Sequence, residues 1–139
     1  MDKNKLYQYM DIKNEITETK RRISDIEEEI KKMDSVTEAV IGGRGGKQRY
    51  KVTGKAEIRQ SKTNLYARRL RLMTFEARLE EMKEEIETYI HTLDDSHIRR
   101  ILTYRYIDGL TWDDVAKNMG PGHSADAVRV EHQRFLKRS

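Results

Sequence analysis

The C-terminal stretch SADAVRVEHQRFLKR holds side chains suited to reading a nucleic acid. Arg129 and Gln133 lie four positions apart and share one face of any helix formed there. Arginine forms paired hydrogen bonds with the guanine edge, and glutamine with the adenine edge, in the major groove. Ser124 and Asp126 open the stretch, and Val130 joins its exposed side. On this reading Asp126, Arg129 and Gln133 are the expected base readers. Arg134, Lys137 and Arg138 follow and suit backbone phosphates.

Other reactive residue types form no constellation. The chain has no cysteine, and its histidines, His91, His97, His123 and His132, are at least six positions apart. None makes the i, i+4 pair that puts two imidazoles on one helix face, so neither a metal site nor a cofactor is expected. Gly46-Lys47 sits in glycine-rich surroundings, but a phosphate-cradling loop needs glycine where Ile41 stands and Ser/Thr where Gln48 stands. No nucleophile–base pair or carboxylate dyad emerges, so the chain is not expected to be an enzyme.

Charge marks a second region. The 139 residues carry 28 Lys+Arg against 24 Asp+Glu, a net +4 that hides strong segregation. Residues 41–71 hold ten basic side chains and one acidic, whereas 72–94 hold two and seven. A local basic cluster sets the field that a polyanion feels. Within IGGRGGKQRYKVTGK, Arg44, Lys47, Arg49 and Lys51 are expected phosphate contacts around Tyr50; the plain alternative is a solvated basic tether. The glycines of this segment, Gly42, Gly43, Gly45, Gly46 and Gly54, are expected to prevent a helix. The basic glycine-rich loop is accordingly drawn over 35–61.

These groups need elements to hold them. Tyr9, Ile12, Ile16, Thr19, Ile23, Ile26, Ile30 and Met33 recur at steps of three and four, the narrow seam of a coiled coil. A second ladder runs through Leu65, Arg68, Leu72, Phe75, Leu79, Met82, Ile86, Tyr89 and Leu93, with Arg68 required to snorkel. Folded antiparallel, the ladders pair at residue numbers adding to 98, as in Ile26–Leu72 and Met33–Leu65. Lys20–Glu76, Glu27–Arg69 and Glu29–Arg71 then attract, while Lys13–Lys83, Glu15–Glu85 and Arg22–Arg78 repel. A parallel homodimer of the first arm stays open.

From Asp95 the period changes to short helices. SHIRRILTYRYIDG places Ile98, Ile101, Leu102 and Tyr106 on one side and ends at Gly109. TWDDVAKNM begins with an [ST]-x-x-[DE] cap, buries Trp112, Val115, Ala116 and Met119, and stops at Gly120-Pro121-Gly122. Ser124 caps the last helix, with Val128, Phe135 and Leu136 inward. Small Ala116 lets two helices cross closely, so the three read as a helix-turn-helix; a small bundle with a solvated basic end is the alternative.

LTYRYIDGLTWDDVAKNMG (102–120) followed by AVRVEHQRFLK (127–137) resembles the helix-turn-helix of the fourth conserved region of bacterial sigma factors. The whole layout is similar to small phage-encoded proteins that join such a C-terminus to a coiled coil, with late-transcription regulators of the ArpU and RinA type as broader relatives. The specific match covers about 35 residues. It implies a framework of Thr111, Trp112, Val115, Ala116, Gly120 and Val128, with Ser124, Asp126, Arg129, Gln133 and Arg134 approaching DNA. Gly120 to Val128 spans eight positions here against six in that pattern, so GPGHS lengthens the turn.

The expected fold is all-α: a long antiparallel coiled-coil hairpin over 1–94, then a three-helix DNA-binding domain over 95–139. The expected function is sequence-specific transcriptional regulation by a phage or prophage protein. Its partners would be double-stranded DNA, host RNA polymerase and a second copy through the coiled coil. A small-terminase-like packaging protein and a coiled-coil adaptor are the alternatives. No stretch approaches the roughly 18 apolar residues of a membrane span, and no signal sequence is read, so a cytoplasmic, nucleoid-associated location is expected.

Overall fold

A computed structural model describes the backbone of residues 3–42 and 48–138, with side chains for 3–35 and 56–138. The described residues form helices joined by short turns, with no strand. A 3-10 turn, Lys3–Gln8, leads into α1 (Tyr9–Gly42); α2 spans Gln48–His91. Three short helices follow: α3 (Ser96–Leu102), extended by a π-helical turn at Thr103–Ile107, then α4 (Trp112–Met119) and α5 (Ala125–Lys137). No described helix is long and apolar enough to cross a membrane.

The expected loop at 35–61 is corrected. α1 runs through to Gly42 and α2 starts at Gln48, so Gly54 lies inside a helix and, of the expected loop, residues 43–47 fall outside the described backbone. A glycine costs a helix about 1 kcal/mol relative to alanine, which slows propagation without forbidding it. A single glycine flanked by helix formers is carried, and Gly42 stands at a helix end, where glycine costs least.

The chain divides into two compact units: Met1–Glu15 with Leu79–Ser139, and Ile16–Arg78. The change of period at residue 94 is therefore not where contacts thin out.

In the unit Ile16–Arg78, the seam of α1 is buried at every ladder position from Ile16 to Ile30, Thr19 included. Ile26, Ile30 and Leu65 form a cluster, with Met33 and Leu72 packed against it, in agreement with the register of 98. Lys20–Glu76 at 3.9 Å, Arg69–Glu27 at 3.2 Å and Lys62–Asp34 bridge the helices, and each pair of residue numbers adds to 96, so the segments run antiparallel. Such exposed pairs contribute about 0–1 kcal/mol each, so the apolar seam dominates. The α2 side is less well covered: Phe75 is 38% exposed, and Arg68 turns outward as expected. A two-helix contact shields a stripe little wider than one side chain, which leaves the edges of α2 wet.

In the other unit the start of α1 meets the end of α2 and the short helices. Leu6, Tyr9, Ile12, Ile86 and Ile90 are buried, and Tyr9 Oη donates to Glu87 Oε1 at 2.5 Å. Burial and that carboxylate push the Tyr9 phenol well above its ordinary pKa. Tyr9 also meets Tyr106 edge-on at 6.5 Å, and Lys13 Nζ donates to the Ile107 carbonyl at 3.0 Å.

Candidate nucleic-acid interface

Each short helix begins on a side-chain cap. Asp95 accepts from His97 N (2.9 Å) and Ile98 N (3.3 Å) at the head of α3. Thr111 accepts from Asp114 N at 3.3 Å to start α4, and Ser124 accepts from Ala127 N at 3.1 Å to start α5. A cap of this kind is worth about 1 kcal/mol because it satisfies an amide that the helix leaves orphaned. Between α3 and α4, Asp108 N donates to Thr103 O at 3.0 Å, the i to i+5 bond of the π turn. Gly109 then takes φ 69° and Gly120, after α4, takes φ 105°, both in the region disfavoured for side chains.

Ile101, Val115, Ala116, Met119 and Val128 form the core that joins the three helices, with Tyr104, Leu110 and Trp112 packed on its edge. Val115 and Val128 are fully buried, and small Ala116 is 6% exposed. Every expected framework residue thus lies in this core or at a turn beside it: Thr111 as a cap, Trp112, Val115, Ala116 and Val128 in the packing, and Gly120 at the turn. Residues 120–124 separate α4 from α5, and Arg100 Nη2 donates to Asn118 O at 3.2 Å near its entrance.

On α5, Val128, His132 and Phe135 face inward. Asp126, Arg129, Val130, Gln133, Arg134, Lys137 and Arg138 are exposed, so most of the expected contact residues share the outward side. Arg129 Nη2 donates to Asp126 Oδ1 at 3.0 Å, which steadies the guanidinium over the first turn. Ser124 is exposed too, but its hydroxyl oxygen is committed to the cap. Leu136, expected inward, is half-buried. Of the other expected phosphate contacts, Arg44 and Lys47 lie outside the described residues. Arg49 and Lys51 belong to the backbone of α2, and their side chains lie outside the described ones.

Sequence reasoning missed the centre of this unit. His132 is 5% exposed, with Nε2 hydrogen-bonded to Tyr106 Oη at 2.6 Å and the Trp112 ring 5.0 Å away. Burial, and then the positive charge of Arg105, push His132 down to about 4, so it is neutral at physiological pH. Burial pushes the Tyr106 phenol up to about 12. Arg105 lies 4.6 Å from the Trp112 ring centre and donates to Leu110 O at 2.9 Å. The available signal was spacing: His132 falls between Val128 and Phe135 on the apolar stripe.

Two further features bear on function. Tyr66, Leu70 and Met73 form a stripe on α2 that is 49%, 66% and 42% exposed. A cleft of about 260 Å³ opens where Tyr7, Arg105 and Trp112 meet Arg129 and Gln133. Among the described residues, no three His, Asp or Glu side chains gather as metal ligands. No protein-family model matches this chain, and no curated protein or solved structure matches it either.

Proposed function

We propose that the chain is a sequence-specific DNA-binding transcriptional regulator of the phage or prophage type. In this reading α3, α4 and α5 act as a helix-turn-helix of the sigma region 4 kind, attached to an antiparallel coiled-coil hairpin. The observation that carries the reading is the division of α5 into two sides. Val128, His132 and Phe135 anchor it, Arg129, Gln133, Arg134, Lys137 and Arg138 stand outward with Asp126, and the other carboxylate, Glu131, is half-buried against His97.

A helix about 10–12 Å across fits the major groove, so these side chains would meet base edges first and phosphates at the rim. Arg129 and Gln133 would read bases, with Asp126 orienting Arg129. Arg134, Lys137 and Arg138 would bind the backbone, and Arg44, Lys47, Arg49 and Lys51 would add phosphate contacts. No cofactor or catalytic step belongs to this function. The arms would pair with a second copy or touch host RNA polymerase, in the bacterial cytoplasm.

Fluorescence anisotropy with bound-fragment selection from phage and host promoter DNA tests it. The expected result is enrichment of one sequence class, with affinity falling steeply as salt rises. Absence of salt-dependent binding to any duplex would refute the proposal. The exposed Tyr66–Leu70–Met73 stripe favours oligomerisation through α2, which also suits a small-terminase-like packaging protein. Light scattering separates the two: a monomer or dimer fits the regulator, a ring of many subunits the packaging protein.

A further inference from the structure

The 3-10 turn ahead of α1 runs along α5 in the opposite direction. Lys3 Nζ donates to the carbonyls of Phe135 (3.1 Å) and Arg138 (2.6 Å) at the end of α5, and lies 4.4 Å from the Phe135 ring centre. A cation there adds a second donor to the Phe135 carbonyl, which also accepts from Arg138 N, and complements the helix's negative end. One turn further on, the Tyr7 ring meets the His132 ring edge-on at 6.2 Å. Tyr7 is nevertheless 58% exposed, and it lines the same cleft as Arg129 and Gln133.

An exposed tyrosine anchored along one ring edge has already lost much of its rotamer freedom, so a contact from its hydroxyl costs little further entropy. Its place beside α5 matters as well. The major groove is about 12 Å wide and an α-helix nearly fills it, so a side chain flanking the helix meets the phosphates of the groove wall.

We propose that the Lys3–Gln8 turn is part of the DNA-contacting surface, with Tyr7 Oη donating a hydrogen bond to a phosphodiester oxygen of the duplex held by α5. The inference rests on the DNA-binding function proposed above. It adds a residue far from α5 in sequence and outside the helix-turn-helix.

The test uses the full chain and a mixed-sequence duplex of about 30 base pairs at low salt, titrated by fluorescence anisotropy. Tyr7→Phe keeps the ring on His132 and removes only the donor. A hydrogen bond to a charged acceptor implies about tenfold weaker binding for this variant. Its Tm should be unchanged, and so should the slope of log affinity against log salt, because a phenol displaces no counterion. Wild type and Tyr7→Phe binding equally well would overturn this inference and leave the DNA-binding function standing. A loss of affinity matched by a fall in Tm would assign Tyr7 to folding and also overturn it. If the wild type binds no duplex, the proposed function fails and this inference fails with it.

Discussion

Acid should destabilise the unit that contains α5 through one side chain, His132. Its imidazole is enclosed by Tyr106, Trp112 and Tyr7, and a proton there would face the Arg105 charge with almost no water to screen it. The folded-state value of about 4 lies below the ordinary 6.5, so the unfolded chain takes up the proton first. Stability from this group is therefore complete above about pH 6.5 and is lost as pH falls through the folded value near 4. Applying proton linkage to those two values gives a loss of about 2 kcal/mol between roughly pH 7 and pH 5.

Trp112 is the single tryptophan of the chain, and its ring lies 5.0 Å from His132, so its fluorescence reports this event locally. Urea titrations followed at the tryptophan emission, at about pH 7 and about pH 5, measure the difference. His132→Gln keeps a hydrogen-bond partner for Tyr106 and removes the titration, so it should flatten most of the dependence while lowering stability at neutral pH. An NMR titration that places His132 near 6.5 in the folded protein would refute the reasoning. So would equal pH dependence in wild type and variant.

The packing and the interface give further expectations. Ile30→Ala should cost about 2–4 kcal/mol in denaturant unfolding, because it removes a buried side chain from the Ile26–Ile30–Leu65 cluster. Gly120→Ala should cost about 1–2 kcal/mol although space around it is open, since φ 105° is strained for any side chain; calorimetry checks this. Ser124→Ala should lose about 1 kcal/mol of stability through the α5 cap, measured by thermal melting. In anisotropy titrations, Arg134→Ala should weaken binding to all duplexes alike and lower the salt slope by about 1. Arg129→Ala should relax preference at one base pair, worth about 1–3 kcal/mol.

Much of the architecture was legible in the chain because it follows from periodicity. Isoleucines at steps of three and four on the first arm can be buried only along one seam, and that seam is where the structure buries them. The cap residues Thr111 and Ser124 and the stop at Gly120 were equally readable, because orphan amides and positive φ restrict which residues serve there. The glycine-rich middle is less legible: Gly54 looks like a break, yet propensity is a small term that neighbouring residues outvote, and it lies inside α2. Phe75 belongs to the seam by spacing and sits at its exposed edge, since a ladder fixes direction along a helix but not how much a partner covers.

Caps, most of each arm's helix and the outward set on α5 are written in the local pattern, because they depend on neighbours within a few positions; the antiparallel pairing of the arms is one of two arrangements that pattern allows. The folded chain selects the antiparallel pairing, lays the segment before the first arm on α5, and closes Tyr106, Trp112 and His132 around one another. It also divides at residues 15–16 and 78–79, inside long helices, and not where the period changes. The physical reason is separation along the chain. Lys3 and Arg138 meet across almost its full length, and no local pattern encodes which of many apolar or cationic side chains will meet once the backbone has folded.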